Sequence, residues 1–234
     1  MERWQNQYIA KVKTHPRIME EGDEGFDLSA VLEFKAFKKQ YPQVAVELGS
    51  GSGMHLLQLA TKSPEALFVG FELRYKRAFR TIEKGEKKDL TNIFMIRGDA
   101  RRITELFSPR ELSALYIHFP DPWEKHRWRK NRLIQDGFLS ELTELLQEGG
   151  RLSFRTDHQE YFSAAVKVIE RSGHFVRESY TENLVETEGE SYHPSSEFEA
   201  LFVSQGLRIC SSIFRRTTGA TEAPGANFPT SPEV

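Results

Sequence analysis

Short apolar runs that alternate with helical segments constrain the fold of this 234-residue chain more than any other feature. In five successive units, a run rich in aliphatic and aromatic residues leads into a stretch with apolar residues at helical spacing. Two more apolar runs follow. The seven runs cover residues 44–48, 66–73, 92–100, 114–123, 151–157, 174–180 and 207–214. This order predicts an α/β fold with a mostly parallel seven-stranded sheet and helices on both faces.

The same pattern predicts one main domain over residues 41–216. Residues 1–40 form a segment that leads into it, and residues 181–206 interrupt the pattern, which predicts an insertion on one rim. Residues 217–234 are rich in Gly, Pro, Thr and Ala without apolar periodicity, so we expect a disordered tail. With 38% hydrophobic residues, the chain can build a core of ordinary size.

Composition also limits the classes of function. The single cysteine, Cys210, excludes a disulfide framework and a cysteine-based zinc site, and the seven histidines show no metal-ligand spacing, so we expect no metal. No stretch reaches the roughly 18 apolar residues of a membrane span, and the N-terminus lacks a signal-peptide core. We therefore predict a soluble cytoplasmic protein, either a monomer or a homodimer. At a net charge of −2, any affinity for nucleic acid must come from locally clustered cations.

A carboxylate stands at the end of each of the five predicted parallel strands. These residues, which we call the acidic edge, are Glu47, Glu72, Asp99, Asp121 and Asp157. The carboxyl ends of parallel strands meet at one edge of a sheet, and ligands of open α/β sheets bind there. A sheet needs no acids at this edge, so five of them indicate a functional site. Asp121 and Asp157 are the candidate catalytic residues.

The first strand ends in a glycine-rich turn, "ELGSGSG", with Gly49, Gly51 and Gly53. Glycine allows backbone to approach a ligand closely. A dinucleotide fingerprint needs its third glycine where Met54 stands, and Glu47 ahead of the turn would repel a pyrophosphate. The turn suits a ligand with positive charge, such as the amine and sulfonium of S-adenosylmethionine. The alternative is that these glycines only turn a strand into a helix.

The remaining predicted cofactor residues follow the next three strands. Glu72 can accept hydrogen bonds from ribose hydroxyls, although this fits any ribose ligand. Asp99 and Ala100 can meet an adenine. Asp121 lies between Pro120 and Pro122, which fix φ on both sides and stiffen the turn. A stiff turn fits a residue held beside reacting groups, but it also fits a simple end to a strand.

A cation-dense stretch follows Asp121 directly. Residues 125–132, which we call the cationic segment, contain Lys125, Arg127, Trp128, Arg129, Lys130 and Arg132. Charge runs are usually solvated faces. Cations interleaved with an exposed tryptophan instead suit phosphate contacts and base stacking. We therefore predict a nucleic-acid grip attached to a catalytic rim.

Taken together, the motifs resemble the bacterial tRNA (guanine-N7)-methyltransferase family, which has a Rossmann-like class I methyltransferase fold. The matching stretches are "ELGSGSG", "GFEL", "RGDA", "HFPDPWEKHRWRKNRL", "GGRLSFRTDHQEYF" and "SSEFEALFVSQG". The family usually has His at Trp128, Arg at Asn131 and a cation at Glu197. The resemblance implies methyl transfer from S-adenosylmethionine to N7 of a guanine at position 46 in the tRNA variable loop.

The resemblance also implies roles for individual residues. It puts Glu47, Glu72, Asp99 and Asp121 at the cofactor. It puts Lys125, Asp157 and the segment from Ser196 to Glu199 at the substrate. Two of these positions have a purely structural alternative, because Asp157 could cap the helix that follows it and Ser196-x-x-Glu199 is also a capping box.

Three other functions stay open at this point. "DPW" loosely resembles the D-P-P-Y turn of methyltransferases that act on exocyclic amines, but that turn lacks a following basic run. A catalytically silent RNA-binding module would not need the acidic edge. An NAD-dependent oxidoreductase is disfavoured by Glu47 and Met54.

Overall fold

The computed structural model describes residues 6–218, and within this range one sheet of nine strands forms the centre of the fold. The strands are β1 (Ile18–Gly22), β2 (Gly25–Phe26), β3 (Gln43–Leu48), β4 (Ala66–Phe71), β5 (Ile93–Arg97), β6 (Leu112–His118), β7 (Leu146–Thr156), β8 (Phe175–Thr181) and β9 (Cys210–Arg216). Their order is β2-β1-β5-β4-β3-β6-β7-β9-β8. The six consecutive strands β1-β5-β4-β3-β6-β7 are parallel to one another. β2 is antiparallel to β1, β9 is antiparallel to β7, and β8 is antiparallel to β9.

The predicted α/β class is confirmed, but the prediction of seven strands is wrong. The two additional strands, β1 and β2, lie in residues 18–26, where acids and glycines hide the alternation of a strand. β1 adds to the edge of β5 in parallel register, pairing Ile18 with Met95. The N-terminal residues therefore extend the sheet that carries the acidic edge.

Eight α-helices of the described residues surround the sheet. They are α1 (Gln7–Lys13), α2 (Leu28–Lys38), α3 (Met54–Lys62), α4 (Tyr75–Glu86), α5 (Asp136–Leu145), α6 (Gln159–Arg171), α7 (Leu184–Glu188) and α8 (Glu197–Ser204). Strand residues alternate between two hydrophobic clusters, since Val46 and Leu48 pack with α2, α5 and α6, whereas Ala45 packs with α1, α3 and α4. Helices thus cover both faces. None of these helices has the length and apolar character needed to cross a membrane.

The segment between the last two strands contains two short helices, α7 and α8, within the predicted rim insertion at 181–206. The predicted disordered tail lies outside the described residues from position 219 onward. The domain limits at residues 41 and 216 stay a prediction.

Candidate active site

A cavity of about 380 Å³ opens at the carboxyl ends of β3, β4, β5 and β6. Its volume lies within the range of small-molecule sites. β3 and β6 are neighbours in the sheet, and the chain order runs outward in opposite directions from this pair. The cavity therefore sits at the topological switch point, where open α/β sheets bind ligands.

Six predicted cofactor residues line this cavity. They are Gly49, Gly51, Glu72, Asp99, Ala100 and Asp121. Each of the five acids of the acidic edge follows or ends its own parallel strand, in β3 to β7, as the sequence predicts. The sheet brings three of them, Glu72, Asp99 and Asp121, to one cavity.

The glycine-rich turn forms part of the cavity wall because its backbone is left-handed and tied to the next strand. Gly49 and Gly51 have φ of 81° and 57°. The amides of Gly49 and Ser50 both donate to the carbonyl of Phe71, at 3.0 and 2.8 Å. A Cβ built on Gly49 would meet no atom within 4 Å. A side chain there would therefore occupy the cavity.

Two residues predicted to bind the cofactor do not line the cavity. Gly53 has φ of 76°, and a Cβ there would lie 2.2 Å from Thr81, so this glycine allows α3 to pack against α4. Glu47 is only 3% exposed, and its Oε1 lies 3.0 Å from Nδ1 of His55. Cofactor contacts of Glu47 and Gly53 stay predictions, because the packing partners of these two residues are not visible in the sequence.

Glu72 lines the cavity, and the loop that follows it holds its carboxylate in place. Its carboxylate accepts a hydrogen bond of 2.8 Å from the amide of Arg74. Burial raises the pKa of Glu72 above its ordinary value, and this amide together with the charge of Arg77 only partly opposes the rise. The cavity therefore holds a carboxylate whose charge is poorly solvated and available to ligand hydroxyls.

The loop that carries Asp99 depends on a residue that sequence reasoning missed. The amide of Asp99 donates to Oε2 of Glu21 at 2.6 Å, and Arg102 donates to the other oxygen of Glu21 at 2.9 Å. These contacts hold the pKa of Glu21 below its ordinary value against the opposing effect of burial, which is the largest single influence. No signal in the sequence relates Glu21 to Asp99, because only the pairing of β1 with β5 brings them together.

Three arginines that the sequence did not single out also line the cavity, together with Phe198 of the predicted substrate segment. Arg74, Arg77 and Arg101 stand among the acids, and the ring of Phe198 from α8 lies 5.2 Å from the guanidinium carbon of Arg77. Arg101 donates to the carbonyl of Asn131 at 2.6 Å, which joins the β5 loop to the cationic segment. The cavity thus offers partners for both positive and negative groups of one ligand.

The Asp121 turn is stiffened by unusual backbone geometry as well as by its prolines. Phe119 and Trp123 have φ of 51° and 44°, a left-handed conformation that costs non-glycine residues about 1–3 kcal/mol. Pro122 accepts a hydrogen bond of 2.7 Å from Nε of Arg132. The exposed side chain of Asp121 is therefore presented from a fixed backbone.

The cationic segment contains a 3₁₀ helix, His126–Asn131, and most of its cations are exposed. Arg132 is buried over the ring of Tyr161 and hydrogen-bonded to the carbonyl of Pro122, so its contact with RNA stays a prediction that this conformation does not favour. Arg129 pairs with Glu160 at 2.8 Å. Lys125, Arg127 and Lys130 are exposed, as expected of a binding surface.

Trp128 is less isolated than the sequence suggests. It is 37% exposed and meets Trp123 edge to face at 6.2 Å. The cations of Lys125 and Arg127 lie 4.7 and 5.1 Å from its ring. Three side chains therefore already lie against this aromatic ring.

The remaining predicted substrate residues lie outside the cavity wall. Asp157 follows β7 but does not cap α6, since His158 accepts the hydrogen bond from the amide of Tyr161. Ser196 does cap α8. Glu199 does not complete a capping box with Ser196. Its side chain is fully buried and forms an ion pair with Arg155, in which Nη1 and Oε1 are 3.3 Å apart. Its carboxylate therefore cannot contact RNA in this conformation.

The comparisons with known proteins agree with this architecture. Residues 42–211 match the family model described as "Putative methyltransferase". A tRNA (guanine-N(7)-)-methyltransferase of Clostridioides difficile is 33% identical over 173 residues, 74% of this chain and 79% of that protein. A bifunctional glycosyltransferase/methyltransferase of Fusobacterium nucleatum is 31% identical over 85% of this chain, which spans only 30% of that longer protein. The solved 16S rRNA methyltransferase KamB has the same fold, with a TM-score of 0.61 over 86% of this chain and 99% of its own at 13% identity.

The match of residues 42–211 to a methyltransferase family model, on this fold, identifies the chain as a class I methyltransferase. The matches in sequence go further than the fold. The chain belongs to the tRNA (guanine-N7)-methyltransferase family.

Proposed function

We propose that this protein transfers a methyl group from S-adenosylmethionine to N7 of a guanine in tRNA, at position 46 of the variable loop. The observation that carries the proposal is the Asp121 turn. It lines the cavity on one side and continues into the exposed cations of the cationic segment on the other. The name of the Clostridioides difficile relative supports the same activity. Because the proposed substrate is a cytoplasmic RNA, the proposal places the protein in the cytoplasm.

The cavity residues fit S-adenosylmethionine by their charges. Glu72, Asp99 and Asp121 suit its ribose, amine and sulfonium, and the three arginines among them suit its carboxylate. Gly49 leaves the wall open for close approach. When bound, S-adenosylmethionine supplies a methyl group on a positively charged sulfur, and displacement at that carbon moves the positive charge to the purine.

The protein needs no general base for this reaction, since N7 of guanine already carries an in-plane lone pair. Its residues must instead align the base and stabilise the charge that develops on it. Asp121 is exposed at the cavity rim and held by a stiff turn, so its carboxylate can stabilise that charge. Asp157 directly follows β7, the neighbour of β6, and is the second candidate on the guanine side. Alignment alone can supply about 7–11 kcal/mol.

The substrate must present the guanine outside a regular duplex. N7 lies in the major groove, which is too deep and narrow in A-form RNA for side chains to enter. A splayed base of a loop meets this need. We assign the phosphate contacts to Lys125, Arg127, Arg129 and Lys130, with stacking at Trp128.

The test is methyl transfer from labelled S-adenosylmethionine to unmodified tRNA transcripts, followed by nucleoside analysis. We expect 7-methylguanosine in a transcript with guanine at position 46 and none in a matched transcript with adenine there. Asp121→Ala should form the product far more slowly. Label in an exocyclic amine, or label in ribosomal RNA and not tRNA, would contradict the proposal.

A further inference from the structure

Three buried side chains converge below the floor of the cavity. Glu47 is the second-last residue of β3, His55 lies in the first turn of α3, and His118 ends β6. They are 3%, 8% and 7% exposed. One ligand atom from each lies within 4.8 Å of the other two. Because β3 and β6 are paired in register, the sheet itself fixes the approach of Glu47 and His118.

Two atoms of this cluster have no hydrogen-bond partner within the described residues. They are Oε2 of Glu47 and Nδ1 of His118. Their other atoms are satisfied, since Oε1 of Glu47 lies 3.0 Å from His55 and Nε2 of His118 lies 2.9 Å from Oγ of Ser153. Natural structures pair more than about 90% of buried polar groups. A free carboxylate oxygen and a free imidazole nitrogen at one buried spot therefore call for a shared partner.

The donor set identifies the kind of partner. Two imidazoles and one carboxylate are a ligand set of zinc sites, whereas calcium and magnesium take oxygen ligands. The contact between His118 and Ser153 matches the outer hydrogen bond that usually orients a metal-bound histidine. His118 also lines the cavity, so a fourth ligand such as water can reach the site from there.

We infer that Glu47, His55 and His118 bind one divalent cation of the zinc class. Ligand atoms of a tetrahedral site with bonds of about 2.0–2.2 Å lie about 3.4 Å apart. Oε1 of Glu47 and Nδ1 of His55 lie 3.0 Å apart and must separate slightly, whereas ligand atoms as much as 4.8 Å apart must approach by up to about 1.4 Å. The ion would join the ends of β3 and β6 directly below the cavity. The histidine spacing could not predict this site, since 62 residues separate His55 from His118.

The experiment titrates the full-length protein, purified without a histidine tag and stripped with a chelator, with Co²⁺ and then with Zn²⁺. We expect one Co²⁺ per chain with the intense visible absorption of a four-coordinate site, displacement by Zn²⁺, and a rise in Tm. His55→Phe and His118→Phe should each weaken binding at least tenfold. His193→Asn, which changes an exposed histidine, is the matched control and should bind like the parent.

Ser153→Ala covers the case in which a ligand variant fails to fold. It retains all three ligands, and loss of the outer hydrogen bond should weaken binding about 10–100-fold. The inference is overturned if the folded parent binds no stoichiometric ion. It is equally overturned if the folded cluster variants, or Ser153→Ala where those do not fold, bind Zn²⁺ as tightly as the His193→Asn control. None of these readouts needs tRNA or methyl transfer, so failure here is separate from failure of the proposed function.

Discussion

The acidic edge and the cationic segment meet in the chain at the Asp121 turn but are built in different ways. Every acid of the edge lies in a core strand or within three residues of its end, and Glu47 and Glu72 are buried. The cationic segment is held by a short 3₁₀ helix, and its side chains are distributed between solvent and contacts within the protein. Residues fixed by the sheet should therefore act in an all-or-none manner, whereas the cations should act in graded, salt-dependent steps.

The largest expected effect is on the acidic edge, at Asp121. Asp121→Ala should lower kcat for tRNA methylation by about 10²–10³, because it removes the carboxylate that stabilises developing charge. Glu124→Ala changes an exposed acid of the same turn outside the cavity and should leave kcat within a few-fold of the parent. Single-turnover kinetics at saturating tRNA measures the difference. Equal rates for the two variants would contradict the role of Asp121.

Asp157→Ala tests the second candidate and should also lower kcat. Asp157 lies outside the cavity wall, so binding of S-adenosylmethionine should not change. Calorimetry with the cofactor alone, beside the kinetic assay, separates the two effects. A variant with normal turnover would remove Asp157 from the catalytic assignment and leave Asp121 alone.

Glu72→Gln should weaken cofactor binding and at the same time stabilise the folded protein. Loss of charge-assisted hydrogen bonds worth about 1.5–3 kcal/mol should weaken cofactor binding by roughly 10–100-fold. Since burial raises the folded pKa of Glu72 above 4.5, its contribution to stability is present below pH 4.5 and is lost as pH rises through the folded pKa. The variant should therefore melt at a higher temperature than the parent at pH 7.5.

The pH dependence supplies the control for this prediction. The gap in Tm between Glu72→Gln and the parent should narrow as the pH falls toward 4.5, because the parent carboxyl then becomes neutral. Scanning calorimetry at several pH values measures the gap. If the parent melts at a higher temperature than Glu72→Gln at pH 7.5, then the hydrogen bonds and positive charges around Glu72 outweigh the cost of burying its carboxylate.

The same contrast explains what the sequence could predict. Alternating apolar runs and the acid after each run predicted the parallel core and the three cavity acids, because strand register leaves little freedom. β1 and β2 were missed because "IMEEGDEGF" does not alternate like a strand. The burial of Arg132 and the role of Glu21 were missed because the partners of a side chain depend on tertiary packing, here on Tyr161 and on the loop of Asp99.

On the cationic segment, Arg127→Ala, Arg129→Ala and Lys130→Ala combined should weaken tRNA binding and make it less dependent on salt. Each lost phosphate contact should reduce the salt slope by roughly 0.7–0.9. Trp128→Ala should weaken binding by about 1–3 kcal/mol with an unchanged slope, if the ring stacks on a base. Filter binding at several salt concentrations gives both quantities. An unchanged affinity and slope in the triple variant would make this segment a solvated face.

The smallest expected effect comes from Glu160, whose carboxylate competes with RNA phosphates for the guanidinium of Arg129. Glu160 pairs with Arg129 at 2.8 Å and lies 3.6 Å from Arg132, which stays tied to Pro122. Exposed ion pairs are worth about 0–1 kcal/mol, so Glu160→Gln should strengthen tRNA binding by at most about fivefold. The gain should fade at high salt, and cofactor affinity should not change. Adding Arg129→Ala should abolish the gain, because only Arg129 is released by the substitution. A gain that persists in the double variant would mean that Glu160 repels the RNA directly and that its pairing with Arg129 is incidental.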